Sequence, residues 1–220
     1  MNKLKFKKND LYNGCLIGAI AHAIIVGRYP ELSYEQSWDG INYNLVGDNG
    51  IRGTITFNGE ECVAAFRNEK NINDNEIENA LSFFEEAPES IKSIAKNETL
   101  LYLLEIVNKK KVPLITAGFW SEGENIVTSC SEEEIILNGM SIIEKQIMPI
   151  EKSILEWKEY YEMEDEEIEL LKIIYKKIKT NNGEEIILSK NEIKILGELE
   201  EEGLEELKNS FKEMNIYLEI

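Results

Sequence analysis

Apolar positions crowd into one early block. Residues 15–26 read CLIGAIAHAIIV, preceded by a basic run at residues 3–8 and closed by Gly27 and Pro30. The block predicts a helix from Asp10 or Asn13, either of which can cap it, to about Gly27. Gly14, Gly18, Ala19, Ala21 and Ala23 make that helix narrow, so other elements can approach its backbone closely in the core. The stretch is twelve residues long and contains His22, short of the roughly 20 apolar residues that span a bilayer. Arg28, Tyr29 and Pro30 stand where a signal peptide would carry its small-residue cleavage site. The expectation is a buried helix in a cytoplasmic chain.

The period then shortens to two. Residues 41–69 read INYNLV, GDNG, IRGTITF, NGE and ECVAAFRNE, which predicts three strands joined by Gly- and Asn-containing turns in an antiparallel meander. Helical patterns follow at residues 74–86, ended by Pro88, and at residues 89–109. Strands are expected at residues 114–120 and 126–129, around the turn SEGEN. From Ser131 the pattern is mainly helical. Ser131 with Glu134 and Ser189 with Glu192 have the spacing of capping boxes. Ile168, Leu171, Ile174, Tyr175 and Ile178 form a one-sided stripe, Pro149 and the Asn181-Asn182-Gly183 turn interrupt the helices, and a last short strand is expected at residues 216–220.

The predicted class is therefore α+β: an N-terminal helix, an antiparallel sheet of about five strands and a helical C-terminal part. Composition divides it into an α+β domain at residues 1–130 and an acidic helical region at residues 131–220 packed on it, or one continuous domain.

Charge adds a direction. The chain has 220 residues and a net charge of −18, with residues 151–220 holding ten Lys against twenty Asp and Glu. Such a field repels nucleic-acid phosphates and anionic membranes and attracts basic proteins. A hydrophobic fraction of 43% is too high for general disorder, so the acidity belongs to a folded chain.

Candidate chemistry is sparse. Cys15, Cys62 and Cys130 are an odd number at wide spacing without a CxxC pair, which fits a reducing compartment. Cys15 near a helix start could be a thiol nucleophile, but the one histidine, His22, is seven residues further on the same helix and about 10 Å away along the axis. One His and three scattered Cys do not make a zinc site. No phosphate-binding glycine loop is present, so no cofactor, metal or catalytic residue is assigned.

The most unusual cluster runs from Tyr34 to Tyr43 and continues through Arg52 to Phe57. Glu35, Trp38, Asp39 and Arg52, with Trp120 and Glu122 at the later turn, combine aromatic and charged side chains as protein-recognition surfaces do. They are the candidate partner-binding residues. The run SWDGxNY…RGTITF, within residues 33–69, resembles an uncharacterised group of small bacterial proteins associated with toxin–immunity gene neighbourhoods. That resemblance implies neutralisation of a partner and carries no catalytic residue. Residues 13–24, NGCLIGAIAHAI, resemble the opening helix of ADP-ribosylglycohydrolases, with Ala21-His22 where that family has Gly-Asp and without a following paired-Asp motif.

Three readings follow. The first is a non-enzymatic acidic binding protein of the immunity or antitoxin type, occluding a basic protein such as a toxin. The second is a hydrolase using Glu35 with Asp39 or Glu122 as acid and base. The third is a structural or regulatory subunit, packing on a partner or on a second copy of itself.

Overall fold

The computed structural model describes residues 1–72, 79–181 and 183–219 and shows a mixed α+β chain. Strand β1 (Asn2–Lys7) runs directly into helix α1 (Lys8–Val26), followed by β2 (Gln36–Asp39), β3 (Asn42–Val46), β4 (Ile51–Asn58) and β5 (Glu61–Asn68). Helix α2 (Glu89–Asn97) precedes β6 (Leu104–Val107), β7 (Lys110–Pro113), β8 (Ala117–Glu122) and β9 (Asn125–Thr128). Then come α3 (Glu132–Asn138), α4 (Ile150–Tyr160), α5 (Asp165–Thr180), β10 (Ile186–Leu188), α6 (Lys190–Ile193), α7 (Glu201–Glu213) and β11 (Ile216–Leu218).

The chain forms two compact units, one of Met1–Tyr12 with Ile41–Glu144 and one of Asn13–Gly40 with Lys145–Ile220. This division interleaves along the sequence and does not coincide with the boundary drawn at residues 130 and 131. Composition follows the acidic surface, whereas the units follow apolar faces. Most of α1 shares a core with the C-terminal helices: Ile17, Ile20 and Ile24 cluster with Trp157, Leu171, Ile174 and Phe211.

In the first unit six strands are hydrogen-bonded in the order β1, β9, β8, β5, β4, β3, against about five expected for the whole sheet. The additional strand is β1. Its Leu4 and Phe6 are buried while Lys3, Lys5 and Lys7 are exposed, so the basic run is one face of a period-two strand. The meander of β3, β4 and β5 forms as the turns predict. One face of the sheet supplies Val63, Ala65 and Trp120 to a core with Phe84 and with Ile91, Ile94 and Ala95 of α2.

The helix expected over residues 89–109 ends early. Glu98 leaves helical geometry at φ −129°, Thr99–Leu103 form a 3-10 turn, and β6 and β7 make a hairpin. Leu100 and Leu103 are buried and Leu101 is exposed, a three-residue spacing that one 3-10 turn satisfies as well as an α-helix. Asn108 and Lys109 both have positive φ, at 51° and 64°, as a two-residue hairpin turn requires. Of the helix expected at residues 74–86, the part before residue 79 lies outside the described residues, and Ala80–Phe84 is a 3-10 turn.

In the second unit the narrow-helix expectation holds. A Cβ on Gly14 would lie 1.8 Å from the Gln146 carbonyl oxygen, and one on Gly203 would lie 2.1 Å from that of Gly27. Helix α1 is long and apolar enough to cross a membrane by length and composition, yet 83% of that stretch is buried. An all-round apolar helix is a core helix when protein covers it. The stripe on α5 buries Ile168, Leu171 and Ile174, and both capping boxes form. The last strand, β11, pairs in parallel with β10, which the pattern had not suggested.

Candidate functional site

Two hairpin turns meet at one end of the first unit's sheet. Strand β5 is antiparallel to both β4 and β8, so the turn after Asn58 and the turn after Glu122 lie side by side. The Cys62 amide donates to Ser121 Oγ at 2.8 Å, which ties the two strands there. Gly59 and Gly123 carry the positive φ of the turns, at 60° and 61°. The last residue of β1, Lys7, pairs with Asn125, so α1 begins at this same end.

Lys8, the first residue of α1, is drawn into the junction. Its amide donates to the Glu124 carbonyl at 3.0 Å. Its Nζ donates to the Glu60 carbonyl at 2.9 Å, to Glu60 Oε2 at 3.0 Å and lies 3.3 Å from Glu124 Oε1. The hydrogen bond to Glu60 is the main influence raising the Lys8 pKa above the ordinary lysine value; burial opposes it and Glu124 adds to it. The ammonium stays charged. Its side chain is 11% exposed, whereas those of Glu60 and Glu124 are 98% and 57% exposed.

A groove of about 660 Å³ opens here, lined by Lys8, Asn9, Tyr12, Phe57, Gly59, Glu60 and Glu124. Tyr12 and Phe57 meet edge to face at 5.1 Å between ring centroids. One cation against two carboxylates leaves the lining net negative, and two aromatic rings share it. Both features attract cations. A covalent mechanism gets no support from the neighbouring Cys62, a fully buried thiol whose pKa burial pushes far up. Among the described residues, no three His, Cys, Asp or Glu side chains converge as metal ligands would.

The six residues singled out from sequence are divided between the two units. Glu35, Trp38 and Asp39 belong to the second unit, and Arg52, Trp120 and Glu122 to the first. Trp38 and Trp120 are buried, at 8% and 0% exposure, so neither displays contact area. Trp38 Nε1 donates to the Gly40 carbonyl and its amide to Glu213 Oε2. Trp120 packs against Phe84 because strand alternation turns it to the face that α2 covers. Arg52 is exposed and pairs with Glu69, which also pairs with the buried Arg67; Arg67 in turn reaches Glu105. Arg52 and Glu122 lie toward opposite ends of β5, as the β4, β5 and β8 registers require.

Glu35, proposed as an acid or base, is 7% exposed. It accepts from Tyr161 Oη at 3.0 Å and from Tyr160 Oη at 3.4 Å. Asp39 is exposed; the Glu213 pKa is raised chiefly by burial, against the lowering effect of the Trp38 amide, with smaller contributions from Asp39 and Glu206. His22 is buried; its Nε2–H donates to the Leu32 carbonyl at 3.0 Å, and burial lowers its pKa to about 4.

Lys8, Tyr12, Phe57, Glu60 and Glu124 were not anticipated as a site. The available signal was the pair of Gly-Glu turns, Gly59-Glu60 and Gly123-Glu124, whose hairpins a meander can bring to one end. Compared with protein-family models, with curated proteins and with solved structures, the chain has no match.

Proposed function

We infer that this chain is a non-enzymatic acidic binding protein that receives a cationic segment of a basic protein in the groove of its first unit. The observation that carries the reading is the arrangement at Lys8: an enclosed ammonium pairs with Glu60 and Glu124, whose side chains are largely exposed, in a groove that Tyr12 and Phe57 also line. An incoming Arg or Lys side chain would meet carboxylate and aromatic ring in one groove, the pairing that recognises organic cations.

The net charge of −18 supports the same direction by steering basic partners and disfavouring nucleic acid and anionic membrane. An immunity or antitoxin role, neutralising a basic toxin in the cytoplasm of a bacterium, fits this chemistry and the resemblance of residues 33–69. The partner-facing residues move accordingly from the tryptophans to Glu60, Glu124, Tyr12 and Phe57.

Calorimetric titration of the full chain with an oligo-arginine peptide tests the reading. Wild type is expected to bind more weakly as salt rises. The Glu60→Gln/Glu124→Gln double variant should lose about tenfold in affinity, the scale of roughly 1.4 kcal/mol. Equal binding by the two proteins would remove the groove from the account.

A further inference from the structure

The second unit contains a different assembly that neither the groove nor the proposed function uses. Trp157 and Tyr160 lie near the end of α4 and Tyr161 follows them, a spacing of three and four residues that brings the rings together on one side. Trp157 and Tyr161 stack, with centroids 5.4 Å apart and planes 14° apart. Tyr160 stands edge-on to both, 5.7 Å from Trp157 and 4.8 Å from Tyr161. The phenols are anchored from behind: both donate to the buried Glu35, and Gln36 Nε2 donates to Tyr161 Oη at 2.8 Å. A phenol that donates to a carboxylate has a more electron-rich ring, and a more electron-rich ring holds a cation better.

A cation is already there. Lys145 Nζ lies 4.3 Å from the centroid of the Tyr160 ring and 5.1 Å from that of Trp157. Lys145 is half-buried, and among the described residues no carboxylate pairs with its ammonium, in a chain with 42 acidic residues. The rings hold it instead. Tyr160 is 45% exposed, so this side of the assembly is open to solvent.

We propose that Trp157 and Tyr160 form an organic-cation site whose resident occupant is the chain's own Lys145, and that an ammonium or guanidinium side chain of a partner protein takes its place. The tether holds Lys145 at the rings without the translational cost that a free cation pays. A single free cation, bound through cation–π contacts alone, competes poorly against that. A partner segment that brings additional contacts can displace the lysine, so the tenant sets a threshold for binding. This site stands on the second unit's geometry and does not depend on the groove.

The test titrates full-length protein with tetramethylammonium chloride, with sodium chloride at equal ionic strength as control, following the Trp157 indole ¹H–¹⁵N signal. Lys145→Ala should reach half-saturation at about tenfold lower concentration than wild type, a factor within the range of partly desolvated cation–π contacts. Lys145→Arg should stay as blocked as wild type. Lys145→Ala/Tyr160→Ala should lose the response, while Lys145→Ala/Tyr160→Phe, which keeps the ring, should retain it. Lys145→Gln, nearly the length of lysine without its charge, must behave as Lys145→Ala does, which separates an emptied site from a disturbed helix. Identical titrations of wild type and Lys145→Ala, or a response that survives loss of the Tyr160 ring, would overturn the proposal. A lysine-rich peptide should produce the same Trp157 shift in Lys145→Ala; a response to tetramethylammonium with none to the peptide would overturn the protein side chain as the source of the cation.

Discussion

In the first unit the cation is enclosed and its carboxylates face outward, whereas in the second the carboxylate is enclosed and accepts from two phenols. The difference separates display from architecture. Lys8 can hold Glu60 and Glu124 at little energetic gain, since ion pairs with an exposed partner are worth about 0–1 kcal/mol. The carboxylates therefore remain available to something else. Glu35 has no such freedom: a buried acid that loses its donors, or donors that lose their acid, cost the full desolvation of the group left behind.

Acid should break this contrast most strongly. His22, in the second unit, is held by burial at a pKa of about 4 against the ordinary 6.5. Below pH 6.5 the unfolded chain binds a proton that the folded chain refuses, so stability falls as pH drops through the window from 6.5 to 4. The expected loss from this group is on the order of 3 kcal/mol. Urea unfolding at pH 7, 5 and 4 measures it, and His22→Gln should flatten that part of the profile. Lys8 contributes no such slope there, because its raised pKa keeps it charged throughout.

Truncating the enclosed carboxylate comes next. Glu35→Ala leaves the Tyr160 and Tyr161 hydroxyls without this acceptor and should cost about 2 kcal/mol in urea unfolding at pH 7. The smallest effect sharpens the other side of the comparison: Glu60→Gln/Glu124→Gln should change stability by no more than about 0.5 kcal/mol, although the same pair is expected to weaken binding of a cationic peptide. A stability loss as large as that of Glu35→Ala would make the rim carboxylates structural.

Much of the secondary structure was legible because local chemistry specifies it. The Asn-Gly turn at Asn58-Gly59 closes a hairpin wherever alternating strands flank it, and a serine three residues before a glutamate starts a helix at Ser131 and again at Ser189. The errors arose where one pattern served two geometries. Lys3, Lys5 and Lys7 read as a basic run, but alternate with buried Leu4 and Phe6 in a strand. Leu100 and Leu103 fit a helix and a 3-10 turn equally well. The tryptophans misled for a related reason: a tryptophan beside an acid looks like a recognition surface until tertiary packing decides whether it is covered, and both Trp38 and Trp120 are buried.

What the sequence determined by itself was the class of fold, the turns, the caps, the close packing around α1 and the excess of negative charge. All of these depend on residues near one another in the chain, or on simple sums over it. Tertiary structure alone decided that Lys8 meets Glu60 and Glu124, and that Lys145 rests on Trp157 and Tyr160. The first meeting depends on strand register across long stretches of chain, where a shift of one residue turns a strand's side chains to the opposite face, and the second on how the chain before α4 folds back along that helix.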